Sequence, residues 1–285
     1  MIKNFGSNVF QGIVGGIFTS IVLWIFFKLR DYFAKQKGLK ELFDIKDLSN
    51  YSLIVPSIYV SNIKQMQKSR RAITAKTDVP FFARNDIRAS LLLYNLIEPI
   101  CSHVDFVEDE KYKVKHNKNI VSIGGSSNEV TWKVLQEHNP KVHYLRYKPE
   151  DLDKIKDNPI KHYSKYLDVN GPFEEGIYDT SNDKLYKEDG KYTYSLILKL
   201  RPPQNNGATF VVCGLRSEAT YIAARYLSHN WKQIRADLIN IDKRYLSKVR
   251  VYFYTFIPWR CPEFAVILRI NMANDSVDRT FISLN

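Results

Sequence analysis

The stretch Asn119–Glu137 reads NIVSIGGSSNEVTWKVLQE and contains the three parts of a β-α unit. An apolar strand, Ile120–Ile123, leads into the glycine-containing turn Gly124–Asn128, and a segment with helical spacing of apolar residues follows. A short buried-type strand that joins a helix through a tight turn is typical of a parallel sheet. The stretch therefore predicts an α/β fold with a largely parallel sheet.

A second stretch, Thr209–Ser228, reads TFVVCGLRSEATYIAARYLS and has the same order of parts. Its strand is Phe210–Cys213, its turn is Gly214–Ser217, and its helix is Glu218–Leu227. Neither turn matches GxGxxG or GxxxxGK[ST], so the sequence supports neither a dinucleotide fingerprint nor a P-loop. Ligands of doubly wound sheets bind at the carboxyl ends of the strands, so we expect both turns to face one pocket.

The remaining elements follow from apolar spacing and from breakers. A helix is predicted over Phe81–Ile100, with Asn85 or Asp86 as its N-cap and with Pro99 at its end. A second helix is predicted over Trp231–Leu246. Alternating or β-branched runs predict further strands at 51–60, 141–147, 192–200, 249–256 and 264–270, and a hairpin tip around 181–183.

The N-terminal stretch Val9–Phe27 reads VFQGIVGGIFTSIVLWIFF and lies in a segment, Asn4–Phe27, without Lys, Arg, Asp or Glu. Nineteen helical residues span about 28 Å, close to the thickness of a bilayer core, so the stretch predicts a membrane-spanning helix. A signal peptide and a buried core helix are the alternatives. Only Lys3 precedes the run, whereas four basic residues follow it closely: Lys28, Arg30, Lys35 and Lys37. The positive-inside rule then places the N-terminus outside and the C-terminal domain in the cytoplasm.

Small residues recur on one face of this helix, at Gly12, Gly16 and Ser20. Such spacing lets helices approach closely in lipid, and the polar amide of Gln11 suits a face turned to a partner helix or to water. These four residues predict a homo-oligomeric membrane assembly. The alternative is that Gly and Ser are simply common in membrane helices.

Composition divides the 285-residue chain into an anchor with its basic flank, residues 1–37, and one α/β domain, residues 38–285. Of the net charge of +12, the first 37 residues supply +4 from five Lys/Arg and one Asp, which leaves +8 for the domain. This excess favours an anionic partner such as a nucleotide, although solubility and attraction to anionic lipid explain it equally well. The three separated cysteines indicate reduced thiols. No metal-ligand cluster or cofactor motif is present, so we expect no metal and no cofactor.

An anionic ligand would be held by arginines near helix starts and by the amides and hydroxyls of the two turns. Tyr221 and Trp132 are candidates for stacking on bases. Each of these residues has a plain structural alternative as a cap or core residue. The predicted ligand-binding residues are Arg84, Arg88, Gly124, Gly125, Ser126, Ser127, Asn128, Gly214, Arg216 and Ser217.

The order of the elements also resembles a known group of proteins. A helix near ARNDIRASLLLYNLI, a β-GG-S-x-N-α unit and a late β-G-L-R-S-x-A-T-α unit, all behind one anchor, are similar to single-pass membrane effectors of nucleotide-signal antiphage defence, of the CBASS or Hailong kind. The resemblance implies a Rossmann-like sensor domain on the cytoplasmic side of the bacterial inner membrane. It also implies a homo-oligomer that a nucleotide or short oligonucleotide gates as a pore or membrane-disrupting assembly, and a nucleotidyltransferase encoded nearby that makes the signal.

Two other functions stay open. The chain is alternatively a membrane-tethered enzyme that hydrolyses nucleotides or NAD, with Asp86, Glu129 or Glu218 as general acid or base. Against this, His138, His143 and His229 are scattered, and Cys213 lies in an apolar run that indicates a buried structural thiol. The third possibility is a membrane-anchored scaffold for a protein partner.

Overall fold

A computed structural model describes most of the chain: residues 2–45, 50–56, 83–112, 119–125, 128–157, 174–201, 207–246 and 261–284. Within these ranges the side chains of residues 2–16, 110, 155–157, 242–246 and 283 are not described. The helices are α1 (Ile2–Leu42), α2 (Arg84–Ile97), α3 (Glu129–His138), α4 (Leu152–Asp157) and α5 (Ser217–Leu246). The strands are β1 (Asn50–Val55), β2 (His103–Glu108), β3 (Asn119–Ile123), β4 (Val142–Tyr147), β5 (Glu174–Asp179), β6 (Lys184–Lys187), β7 (Tyr192–Leu200), β8 (Thr209–Gly214), β9 (Phe264–Asn271) and β10 (Val277–Ser283).

The larger sheet has seven strands in the order β10-β9-β7-β8-β3-β1-β2. The four strands β8, β3, β1 and β2 pair in parallel, and β7, β9 and β10 add antiparallel pairings, so five of the seven strands run in one direction. The predicted mixed α/β fold with a mostly parallel sheet is thus confirmed. A second, smaller antiparallel sheet, β4-β5-β6, shares no strand pairing with it.

Two apolar cores lie on the two faces of the large sheet. One face packs against α2, α5 and the end of α1, with Leu93, Leu227 and Phe43 among its buried members. The other face packs against α3 and the small sheet, with Val134 and Tyr144 among its buried members. The central strands are buried on both sides, which explains why β3 and β8 are almost wholly apolar in sequence.

Helix α1 is continuous over Ile2–Leu42, and its burial begins at Gly38, next to the predicted boundary between residues 37 and 38. Its last turn is part of the domain core: Leu39, Leu42 and Phe43 are at most 1% exposed. From Ile17 to Phe33, by contrast, its large apolar side chains are exposed, with Phe18 at 68%. Among the residues that the structure describes, no helix is both long and apolar enough to cross a membrane. The span predicted over Val9–Phe27 is therefore not shown, and residues 9–16 lie outside the described side chains.

Several predicted element bounds were wrong. Helix α2 begins at Arg84 with Ala83 as N-cap, not Asn85 or Asp86, and beyond Ile97 it tightens into a 3₁₀ turn at Glu98–Ile100 because of Pro99. Two helices were predicted, with a break at Ser228–Asn230, but the structure has a single continuous helix there, α5. No Gly or Pro interrupts Ser217–Leu246, and the His229 ring and Asn230 amide bond to carbonyl oxygens one turn back.

Two edge strands, β2 and β10, were not predicted. Both mix charged and apolar residues, and strands at a sheet edge do not need a continuous apolar run. Three parts of the predicted elements lie outside the described residues: the strand predicted over 249–256, residues 57–60 of the first predicted strand, and Phe81 and Phe82 of the predicted helix.

Candidate functional site

Three helices begin at one edge of the large sheet. Strands β1, β3 and β8 are parallel neighbours, and α3 and α5 start directly after the carboxyl ends of β3 and β8. The Gly124 N–H donates to Val212 O at 2.9 Å, so the two predicted turns lie side by side at this edge. The chain passes from β1 to β2 on one side of β1 and then continues with β3 on its other side, so the strand order reverses between β1 and β3, with α2 on one face of the sheet and α3 on the other. This edge is where doubly wound sheets bind ligands.

The turn after β3 is held by Asn128, which is fully buried. Its Oδ1 accepts hydrogen bonds from the N–H groups of Val130 and Thr131, and its Nδ2 donates to Ile123 O at 2.7 Å and to Ile54 O at 3.3 Å. It therefore caps α3 and joins β3 to β1 at once. The Glu129 N–H donates to Asp109 Oδ2 at 3.0 Å. The first-turn amides of α3 are thus engaged inside the protein and are not offered to an anion.

Tyr144 of β4 fills the space between the two glycine turns. A methyl group built on Gly125 would lie 2.5 Å from the Tyr144 ring, so glycine is required there. The Tyr144 hydroxyl donates to Glu175 Oε2 at 2.6 Å and lies 3.4 Å from Gly214 O. The two turns therefore share an edge, as predicted, but a tyrosine ring occupies the position expected for a ligand.

In the turn after β8, Gly214 lies against the backbone of α5. A methyl group there would lie about 2.5 Å from the backbone N of Thr220, so the glycine permits close packing of turn and helix. Arg216 is exposed and pairs with Glu188 at 2.8 Å, outside the helix start. Its charge is therefore partly neutralised by a neighbour within the protein.

The N-termini of α2 and α5 meet in a group of polar side chains that we call the α2/α5 junction, formed by Asn85, Asp86, Arg88, Ser217 and Tyr221. Asn85 Nδ2 lies 3.5 Å from Ser217 Oγ and links the two helices. The Arg88 guanidinium lies 4.0 Å from the centre of the Tyr221 ring. An exposed guanidinium on an aromatic face beside two helix starts is suited to a phosphate and its attached base.

Asp86 gives the α2/α5 junction a titratable group. Its side chain is 4% exposed, and burial, together with the nearby Glu218 carboxylate, raises its pKa to about 6. The carboxyl group is therefore partly protonated near neutral pH. A buried acid with a raised pKa beside a second carboxylate is a recurring arrangement at functional sites.

Two other groups considered for chemistry, Cys213 and His143, are buried in the core, and His138 is half-buried. Burial raises the pKa of the Cys213 thiol well above its usual range. Burial lowers the pKa of His143 to about 4, and it also lowers the pKa of His138. The Cys213 thiol therefore stays protonated and the His143 ring stays neutral, as is typical of structural groups in a core.

A charged cluster, which we call the helix clamp, fastens the end of α1 to the domain. Lys199 is fully buried, and its Nζ donates to Leu42 O at 2.8 Å and to Asp44 Oδ2 at 3.0 Å. Arg201 binds the same Asp44 carboxylate through Nε at 2.8 Å and Nη2 at 3.0 Å. Farther along, Arg235 of α5 pairs with Glu41 of α1.

The predicted site residues thus divide into three groups. Arg88 and Ser217 come together at the α2/α5 junction, and Arg84 is exposed at the first position of α2. The structure uses Gly124, Gly125, Asn128, Gly214 and Arg216 for packing, capping or an ion pair. Ser126 and Ser127 lie outside the described residues, as do the side chains of Gln11, Gly12 and Gly16, whereas Ser20 is exposed.

Sequence reasoning missed Asn85 as a link between helices, and it missed the helix clamp. Asn85 carried no signal except its place near a helix start. Lys199 did carry one: a lysine inside the apolar strand YTYSLILKL must find partners when it is buried. Those partners are distant in sequence, so only their type could have been predicted.

Comparison with known proteins finds no matching family model, no significantly similar curated protein and no significantly similar solved structure.

Proposed function

We propose that this chain is an oligomeric membrane effector whose α/β domain binds a nucleotide or short oligonucleotide and passes the binding signal to its N-terminal helix. Following the resemblance noted above, the setting is antiphage defence at the bacterial inner membrane. The N-terminus lies outside, the domain is cytoplasmic, and a neighbouring nucleotidyltransferase supplies the signal.

The observation that carries the proposal is that α5 connects the α2/α5 junction to α1. Ser217 and Tyr221 lie in its first turns, and Trp231 and Arg235 lie about 21 Å and about 27 Å along it from the start. A methyl group on Gly38 of α1 would lie 2.8 Å from the Trp231 ring, so the two helices are in close contact. A movement of the α5 start on ligand binding would therefore reach the base of α1 through one rigid element.

The exposed face of α1 supports a membrane role. Its large apolar side chains from Ile17 to Phe33 have little protein against them, and Trp24 is 62% exposed. A contiguous apolar surface of this kind is typical of contact with lipid or with another subunit. The charge-free segment Asn4–Phe27 and the basic residues that follow it support the same assignment.

The helix clamp fits a role for α1 in transmitting movement from the domain to the membrane. The end of α1 is held by two buried or half-buried cations, Lys199 and Arg201, and by the Arg235–Glu41 pair from α5. A flexible linker would uncouple the domain from the membrane, whereas an unbroken helix with a buried end transmits rotation and translation.

The test is to purify the full chain in detergent from cells that carry the neighbouring genes, denature it, and identify bound nucleotides by mass spectrometry. A defined ligand near one per chain is expected for the wild type. Arg88→Glu should lose most of it, and Lys154→Glu, an exposed lysine on α4, should retain it. An empty wild-type protein, or equal occupancy in Arg88→Glu, would contradict the proposal.

A second candidate function is supported by one specific observation, the Asp86–Glu218 carboxyl pair. A buried carboxyl group with a pKa of about 6 next to a second carboxyl group can act as a general acid in the hydrolysis of a nucleotide or of NAD. Turnover of ATP, GTP or NAD by the wild type, abolished in Asp86→Asn, would favour the enzyme. Absence of turnover at high protein concentration would remove it.

A further inference from the structure

Beside the turn after β8, the large sheet carries an open cleft. It lies where the outer strand of the small sheet, β6, ends above β7, β9 and β10, and its volume is about 140 Å³. The lining residues are Lys184, Tyr186, Tyr194, Ile267, Arg269 and Asp278, with Thr280 at one side. An engineered apolar cavity of about 150 Å³ holds one benzene ring, so the cleft has room for a single flat ring system.

Aromatic rings and cations alternate around this cleft. The centres of the Tyr186 and Tyr194 rings lie 5.5 Å apart, and Lys184 Nζ lies 4.7 Å from the centre of the Tyr186 ring. On the same side of β7, Tyr192 has Arg269 at 4.4 Å from its ring centre. Tyrosines interleaved with basic side chains are the arrangement by which proteins hold single-stranded nucleic acid, because the rings stack on bases and the cations meet phosphates.

The polar groups of the cleft are placed for a base with an attached phosphate. The floor is apolar, since Ile267 is 1% exposed. Arg269 and Asp278 both line the cleft and pair with each other at 2.8 Å. Lys184 is exposed and lies over the Tyr186 ring, so its ammonium group stands at the mouth of the cleft. Lys191 is also exposed and lies over the ring of Tyr192, the tyrosine that Arg269 contacts.

The cleft adjoins one of the helix starts of the α2/α5 junction. The Leu215 N–H donates to Tyr194 O at 2.9 Å, so the turn that leads into α5 is bonded directly to the strand that carries the stacking tyrosine. Arg216 of that turn reaches Glu188 in the connection between β6 and β7. Tyr221 packs on the α2/α5 face of the large sheet and the cleft lies on the small-sheet face, so a ligand longer than one nucleotide would reach both places by passing around this turn.

We propose that the cleft lined by Tyr186 and Tyr194 binds one base of an oligonucleotide, with Lys184 and Lys191 on its phosphates. The base stacks on Tyr194, and the phosphate lies on the basic rim. The inference rests on the proposed function for the class of ligand, and it adds that the ligand has more than one nucleotide. A mononucleotide would use the α2/α5 junction alone, whereas an oligonucleotide gains affinity from both places.

The test is binding of 5′-fluorescein-labelled tetranucleotides, rA₄ and rU₄, to the full chain in detergent, measured by fluorescence anisotropy. Tyr194→Ala should weaken binding roughly tenfold or more, and Tyr194→Phe should restore it because the ring remains. Lys184→Glu should weaken binding and reduce its dependence on salt. Lys154→Glu, which changes charge equally on α4, should bind as the wild type does.

The outcomes separate the two proposals. Wild-type affinity in both Tyr194→Ala and Lys184→Glu, with loss in Arg88→Glu, would overturn the cleft and leave the α2/α5 junction standing. Loss in the cleft variants with wild-type binding in Arg88→Glu would support the cleft and move the site away from the junction. No binding of either tetranucleotide to the wild type would overturn the cleft, and mass spectrometry of the purified chain would still decide the proposed function. If Tyr194→Ala does not fold, Lys184→Glu decides alone, because that lysine is exposed.

Discussion

Replacing Lys199 by methionine tests whether the helix clamp holds the base of α1. The lysine is fully buried, and its Nζ serves Leu42 O, Cys261 O and the Asp44 carboxylate. Methionine keeps the length of the side chain and removes all three interactions. Asp44 would keep only Arg201, and two carbonyl oxygens would lose a donor.

Removal of one partner from a buried ion pair costs about 3 to 5 kcal/mol. We expect the lower end, about 3 kcal/mol, because Arg201 still neutralises Asp44 through two hydrogen bonds. For a domain of this size, each kcal/mol lowers Tm by about 2 to 4 °C, so Lys199→Met should lower it by about 6 to 12 °C.

The assay is thermal unfolding of the full chain in detergent, followed by intrinsic tryptophan fluorescence. Trp231, one of the four tryptophans, packs against Gly38 of α1, so part of the signal comes from the contact between α1 and α5. The matched control is Lys154→Met, whose side chain is 75% exposed and which should shift Tm by less than about 2 °C. A Tm of Lys199→Met within 2 °C of the wild type would refute the reasoning, since the buried lysine would then contribute nothing that methionine does not.

Three further changes test other parts of the structure. Burial raises the pKa of Asp86 to about 6, so ionisation of this carboxyl group opposes folding as pH rises from about 4 to 6. Asp86→Asn should therefore gain stability relative to the wild type over that range, and the gain should reach up to about 3 kcal/mol at pH 7. Parallel curves of Tm against pH for the two proteins would contradict this. Asn128→Ala should lower the free energy of unfolding by about 3 kcal/mol in denaturant titration, because it removes a helix cap and two buried donations, whereas Asn128→Ser keeps the cap and should lose less. Replacing Gly12 and Gly16 by leucine should reduce the oligomer size of the full chain in detergent and abolish any toxicity on expression, and an unchanged size with unchanged toxicity would argue against helix packing through these residues.

Local patterns were sufficient for the elements that carry their own signal. The units around Gly124–Asn128 and Gly214–Ser217 were predicted because a buried strand, a glycine turn and a helix follow each other within about twenty residues. Their meeting at one edge followed from the geometry of parallel strands. The edge strands β2 and β10 were missed because a strand with one free side does not need a continuous apolar run.

The candidate site was predicted less completely, for a physical reason. Whether an amide or an arginine is available to a ligand depends on neighbours that are distant in sequence. Asp109 engages the start of α3, and Tyr144 fills the gap beside Gly125. Arg88 stays exposed at a helix start because Tyr221, from a helix more than a hundred residues later, supplies the surface under its guanidinium.

The sequence by itself determined the α/β class, the two β-α units, the long apolar N-terminal segment and the basic balance of the domain, because each of these depends on the order and spacing of residues near one another. Only the tertiary structure decided that α1 ends inside the core, that α5 joins the α2/α5 junction to α1, and that Lys199 and Asp44 meet. These features depend on which distant segments pack together, and packing places groups from different parts of the chain within hydrogen-bonding distance in a way that no local pattern encodes.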